Sequence, residues 1–427
     1  MLSRAFVVLW IATLVAMAGI GMVSPLLPVY VREDLGGPEI AVALSFSGLA
    51  LTMLIGAPFM GRLGDRYGAK LFIALGFLVY GLGGFGYLWA GNWQLVVAFR
   101  MLSGLGAAAI FPLSLAYIGR LAPPGREGTF MGMYSVAEIA GFGIGPLLGG
   151  TIRDLVDSQT AFLAMALMLT GTGLLTFLLL PARPSRSRAS EGGQEPYEPR
   201  LPWGEMARRP LVQAAVLMRA IVALGWGAGS TFLAVYVISE DGLNTDSAIF
   251  VGILLASRSL LGAMLQPVFG RLADRVSRLP LVMAGLAVAG VGQFIIPDLP
   301  RAFVDLSLLG GDFVIEPWLT GLFVAVGLGE ALGWPAQQAI FVTAGRTVGM
   351  GSIMGLNQMG SSLGFLSGSL LGAAVVGTFG LEAVFRFAGI VVLVGALIFF
   401  VLMRRAADEL REAERSGALV APAAGDH

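Results

Sequence analysis

Apolar runs of twenty or more residues, separated by short polar breaks, make up most of this 427-residue chain. A helix rises about 1.5 Å per residue, so about 20 apolar residues cross a bilayer core about 30 Å thick. Runs near 5–31, 41–61, 71–90, 93–119, 129–150, 160–181, 211–238, 248–269, 279–297, 317–344, 352–377 and 384–403 reach that length. The pattern predicts twelve membrane helices. Arg4 precedes the first run, and no small-residue cleavage site followed by a soluble domain comes after it, so it reads as a retained helix and not a removed signal. The longest polar break, "PARPSRSRASEGGQEPYEPRLPWGEMARRP" (181–210), reads as a flexible linker between two sets of six helices. The expected organisation is an N-terminal bundle at 1–181, a linker at 182–210, a C-terminal bundle at 211–403 and a charged tail at 404–427. The start of that tail, "RRAADELREAERSG", reads as a short solvated helix.

Composition turns this pattern into a class. Charged residues are 13% of the chain, against about 25% in soluble proteins. Mean hydropathy is +0.81. Net charge is zero, which offers nothing to nucleic acid. Cysteine is absent, which excludes disulfides, thiol catalysis and thiolate metal sites. The single histidine is His427, so a histidine proton relay is excluded, and no metal site is expected. Arginine sets the orientation. With the N-terminus inside, the inner segments hold Arg62, Arg66, Lys70, Arg120, Arg126, Arg208, Arg209, Arg271, Arg275, Arg278, Arg346, Arg404 and Arg405, among others, whereas the outer loops hold Arg32, Arg153, Arg301 and Arg386. Both termini are therefore expected in the cytoplasm.

The halves repeat. "GLGAAAIFP" (104–112) matches "GLGEALGWP" (327–335), and the same offset of 223 pairs Gly141, Gly145 and Gly149 with Gly364, Gly368 and Gly372. "GRLGDR" (61–66) matches "GRLADR" (270–275), and "GIGMVSPLLPVYV" (19–31) matches "GWGAGSTFLAVYV" (225–237). Parallel six-helix repeats are the architecture of carriers that rock two halves about a central site.

Three motifs carry a family resemblance. "GRLGDRYGAK" (61–70) lies between the second and third spans, with Gly61 and Gly68 suited to tight turns and Asp65 and Arg66 at the inner membrane face. Its partial copy brings Asp274 and Arg275. "RMLSGLGAA" (100–108) sets Arg100 before Gly104 and Gly106. "GFGIGPLLGG" (141–150) fits G-x-x-x-G-P-x-x-G-G in the fifth span, through Gly141, Gly145, Pro146, Gly149 and Gly150. The chain resembles the major facilitator superfamily, and the fifth-span motif looks like its twelve-span drug:proton antiporter branch. The resemblance implies an all-α integral membrane fold of twelve transmembrane helices in two pseudo-symmetric six-helix bundles. It also implies control of inner-face closure by Asp65 and Arg66, a link between Arg100 and proton transfer, and packing of the fifth-span glycines against the eighth span. A fixed ion pair is the competing reading for Arg100. Two departures stand out: the first span holds no carboxylate between Arg4 and Arg32, and Ser369 replaces the motif proline in the second half.

Arg100, Glu138, Arg219, Arg258 and Glu330 lie well inside predicted spans, where charges are costly and need a partner. Glu330 is expected as the main proton carrier, with a static Glu330–arginine pair as the alternative. Glu138, on the face of the fifth-span glycines, is expected to latch onto Arg258 across the halves in at least one transport state and to share in proton coupling. Arg219, Trp226, Trp334, Gln337, Gln338, Asn357 and Gln358 are candidate cavity and cargo contacts.

The sequence thus points to a secondary active transporter exporting small amphipathic molecules by alternating access, coupled to a proton gradient without a cofactor. The alternative is an uptake symporter or uniporter for a sugar or other metabolite. The expected setting is the cytoplasmic (inner) membrane, with the lipid bilayer and a small-molecule substrate as partners and a monomer as the working unit. No nucleophile–base set suggests an enzyme.

Overall fold

The computed structural model describes residues 3–181, 202–238, 242–244, 248–308, 311–406 and 411. Among these, twelve long helices carry the chain back and forth. The first six are α1 (Arg4–Val29), α2 (Glu39–Tyr67), α3 (Ala69–Leu88), α4 (Trp93–Leu121), α5 (Glu127–Leu155) and α6 (Ser158–Leu179). A short helix, α7 (Trp203–Arg208), precedes α8 (Pro210–Ile238), α9 (Ala248–Arg275), α10 (Arg278–Ile295), α11 (Pro317–Val348), α12 (Met350–Phe379) and α13 (Leu381–Arg405). Every predicted span is a helix, and several extend past the apolar run into the inner loops. Among the described residues, eleven helices are long and apolar enough to cross a membrane; the remaining long helix, α5, carries Glu138 and the glycine-rich stretch.

Local chemistry sets the ends. Ser3 caps α1, Asn92 caps α4 and Asp157 caps α6, each accepting a backbone N–H of the first turn. Gly68 turns the chain from α2 into α3 with φ 92°, a conformation that disfavours a side chain. Two parts of the chain differ from the sequence reading. The expected flexible linker contains helix α7, with Met206 buried, while residues 182–201 lie outside the described residues. The long loop after α10 holds an antiparallel hairpin, β1 (Val304–Leu308) with β2 (Gly311–Ile315). Most of the charged tail, 407–410 and 412–427, also lies outside the described residues.

Within each half, small residues let helices touch. A Cβ on Gly141 would meet Leu14 O at 2.5 Å, one on Gly145 would meet Ala18 O at 2.5 Å, and one on Gly149 would meet Met22 O at 2.7 Å. The fifth-span glycine strip therefore packs on α1, in its own half, and not on the eighth span (α9) as the family resemblance implied. The repeat explains why. Gly364 and Gly368 of α12 press in the same way on Ala220 and Leu224 of α8. Both copies of the strip serve the same internal joint, with its close backbone approach.

Candidate functional site

Two carboxylates close one end of the bundle, where α1 begins and α13 finishes. Helix α12 starts after Gly349, which has no side chain to cap it. Asp65, near the end of α2, supplies the cap from the other half. It accepts Gly351 N at 2.6 Å, Ser352 N at 2.7 Å and Ser352 Oγ at 2.6 Å. Arg120 of α4 balances it at 2.7 Å. Helix α5 starts after Arg126, which makes no side-chain cap. Here Asp274 of α9 accepts Gly128 N at 2.7 Å, Thr129 N at 2.8 Å and Thr129 Oγ1 at 2.5 Å. Each half thus caps a helix of the other, where a negative charge also complements the helix dipole. The backbones touch beside both latches: a Cβ on Gly61 would collide with Gly351 O, and one on Gly128 would meet Gly270 O at 2.5 Å. Glu127, 2% exposed, adds a third tie across the halves, to Arg278 at 2.9 Å and Arg346 at 2.7 Å.

Arg66 takes no part in this closure. It is exposed and lies over the Tyr67 ring, so Arg120 is the cation beside Asp65. Arg275 is likewise exposed.

Deeper in the bundle, side chains of alternating charge meet between the halves. Arg258 of α9 grips Glu330 of α11 with both Nε (2.8 Å to Oε2) and Nη2. The expected Glu138–Arg258 latch is not formed in this conformation: Arg258 is engaged within its own half, and no ion pair joins it to Glu138 among the described residues. The cause is Gly327, where a Cβ would collide with Arg258 O. That close approach of α9 to α11 brings Glu330, one turn along, to the guanidinium. Arg219 of α8 donates Nε to Ser361 Oγ of α12 and stacks its guanidinium 4.5 Å over the Trp334 ring. Trp334 in turn donates Nε1 to Ser135 Oγ of α5 at 3.1 Å, crossing from one half to the other. Glu138, one turn beyond Ser135, has Arg219 as its charged neighbour. Arg219 has Glu138 and then Glu330 as its acidic neighbours. Among the described residues, Glu138 makes no ion pair or hydrogen bond.

The remaining candidates divide by depth. Gln337 lies one turn from Trp334 toward the closed end, and Asn357 one turn from Ser361 in the same direction. Both are buried, not lining an open cavity, and Gln337 Nε2 and Asn357 Oδ1 have no partner. Gln338 is also buried and Gln358 is partly buried. Trp226 is exposed and tilts against Phe365 at 5.2 Å. Arg100 sits apart from this layer, among Tyr80 and Phe46 in the first half.

Comparison with known proteins follows the same architecture. The model of the Major Facilitator Superfamily matches residues 9–310 and 243–425. The chain belongs to the major facilitator superfamily. This is a family of transporters, and the chain is a multi-pass membrane protein of that kind. Among its superfamily relatives, the multidrug resistance protein MdtG of Dickeya zeae is 28% identical, covering 94% of this chain and 95% of its own. The multi-drug resistance efflux pump PmrA homolog of Lactococcus lactis is 27% identical, over 94% and 96%. An uncharacterized MFS-type transporter of Methanocaldococcus jannaschii is 22% identical, over 95% and 99%. In fold, the human organic anion transporter MFSD10 superposes with a TM-score of 0.70 at 18% identity, over 93% and 99%.

Sequence reading missed Ser135, Ser361, Arg120, Glu127 and the cap that Asp274 gives α5. The repeat held the signal for that last one. Asp274 copies Asp65, and Gly128 stands 223 residues before Gly351, the residue that Asp65 caps.

Proposed function

We propose that this transporter exports small amphipathic molecules by alternating access, in exchange for protons. The observation that carries the reading is the alternating layer Glu138, Arg219, Glu330 and Arg258 between the halves, with Glu138 alone among its carboxylates unpaired. A carboxylate fixed in a two-toothed arginine grip has little reason to take up a proton, because protonation would leave the guanidinium without its partner. Glu330 is therefore a positioning residue, and Glu138 is the proton carrier. Arg219 mediates between them. Protonation of Glu138 removes the negative charge that neighbours Arg219, which loosens the Arg219–Trp334–Ser135 chain that ties the halves.

The resemblance to MdtG and PmrA supports multidrug-like cargo. The arginine-rich inner segments support an inner-membrane setting with both termini in the cytoplasm, which makes the latched end cytoplasmic and the conformation outward-facing. In that setting, Asp65 and Asp274 hold the inner face shut until proton exchange lets the halves rock. The working unit is a monomer, without a cofactor beyond the proton gradient.

Proteoliposomes loaded with an amphipathic fluorescent dye and given a pH gradient test this. Dye movement should follow the gradient, Glu138→Gln should abolish that dependence, and Glu330→Gln should slow transport while leaving some dependence. Dye flux that ignores the gradient and survives Glu138→Gln unchanged would overturn the reading.

A further inference from the structure

Arg100 is 5% exposed in the interior of the first half. Among the described residues, Glu138 has Arg219 as its charged neighbour and Glu330 is gripped by Arg258, whereas Arg100 is a buried cation with no acidic neighbour. The ionisable groups beside it are the hydroxyls of Tyr87 and Tyr80. Its Nη1 reaches Tyr80 OH at 3.4 Å, and its Nε–H has no partner. Tyr87 OH lies 3.2 Å from Ser103 Oγ, whose own proton goes to Phe99 O at 2.9 Å. The Tyr87 proton therefore goes to Ser103, and the Nε–H of Arg100 and the O–H of Tyr80 are left as donors with no negative charge beside them among the described residues. A full charge in such a place calls for a counter-ion.

Access is built in. The ring of Phe46 covers the guanidinium at 5.4 Å and is itself 37% exposed. Phe46 precedes Ala57 by about three turns, so both lie on one stripe of α2. At Ala57 that stripe meets Gly355 of α12 in the closed end. Toward the other end of the same stripe, the partly exposed ring of Phe46 lies over Arg100.

We propose that Arg100, Tyr80 and Tyr87 form a binding site for a monovalent anion, gated by Phe46. The occupant is either a small inorganic anion or the carboxylate of an amphipathic molecule reaching past the ring. The Nε–H of Arg100 and the phenol of Tyr80 supply its hydrogen bonds, and the aromatic wall excludes strongly hydrated or bulky anions. The site is separate from the Glu138 layer.

The test is thermal melting of the purified full-length protein at fixed ionic strength in chloride, benzoate or gluconate, the last too bulky and hydroxylated to pass Phe46. Chloride or benzoate should raise the melting midpoint saturably above that in gluconate. A response to chloride alone identifies an inorganic ion, and one to benzoate alone an organic carboxylate. Arg100→Gln should lose the shift. Should that variant fail to fold, Tyr80→Phe should raise the half-saturating concentration at least about tenfold, the cost of one hydrogen bond to a charged group. Phe46→Ala should keep the shift and extend it to bulkier anions. Superimposable wild-type curves in all three salts would overturn the proposal, as would a saturable shift that Arg100→Gln and Tyr80→Phe both leave unchanged.

Discussion

Asp274→Ala isolates one latch. The aspartate accepts three hydrogen bonds from the first turn of α5, and the residue at the helix's own cap position contributes none. A lost cap costs about 1 kcal/mol. A lost negative charge at a partly buried helix N-terminus costs about 1 kcal/mol more. All of this acts between halves, so it biases the closed end and not the folding of either bundle. A total of about 2 kcal/mol moves the closed-to-open ratio about thirtyfold. The absence of cysteine makes the measurement clean, because two introduced thiols are the only labelling sites. Spin labels at Arg126→Cys on the first half and Arg404→Cys on the second, both exposed, report the separation of the closed ends. Asp274→Ala should shift the distance distribution toward a longer component by about that ratio, with melting nearly unchanged. Asp65→Ala should do the same from the opposite side. An unchanged distribution with Asp274→Ala would show that the cap across the halves adds nothing to closure, and the latch reasoning would fail.

Three further outcomes follow from the same geometry. Gly128→Ala, whose Cβ would stand 2.5 Å from Gly270 O, should open the label distance at the closed end while the helices stay intact by circular dichroism. Gln337→Leu removes an unpaired buried donor, worth about 1–3 kcal/mol against the closed state, so the short label distance should become more populated and transport slower. At the other end of the bundle, the Thr160 N–H holds the Asp157 carboxyl below its usual 3.8. A lowered carboxylate contributes stability above its unfolded value and loses it as pH falls through the folded one. Asp157→Ala should therefore lower the melting temperature at neutral pH, and the gap from wild type should close below about pH 3.8.

The helices were legible because apolar run length is set by bilayer thickness, and each run became a helix. The latch at Asp65 was legible as a motif, but its cation was not. Arg66 follows Asp65 in sequence, whereas Arg120 reaches it from α4. The face that Glu138 shares with the fifth-span glycines pointed to Arg258 as its partner, but the neighbour that Arg258 turns to is set by tertiary packing. Gly327 turned Arg258 toward Glu330 instead. The glycine strip shows a similar limit: its spacing indicated a close contact, and the choice of α1 as partner lay in tertiary packing. The hairpin could have been found. Val304, Leu306 and Leu308 alternate with Asp305 and Ser307, a strand period inside what read as loop.

At Gly61 with Gly351 and Gly128 with Gly270, the halves meet with bare main chain on both sides. Nothing stands between them that could be removed, so closure is already at its tightest, and substitution there can only add thickness. One added methyl acts as a shim. The dwell time of the shut conformation can therefore be shortened in methyl-sized steps, far from every side chain that would meet cargo or proton. A lineage of such carriers could change its tempo at these four positions and keep its chemistry.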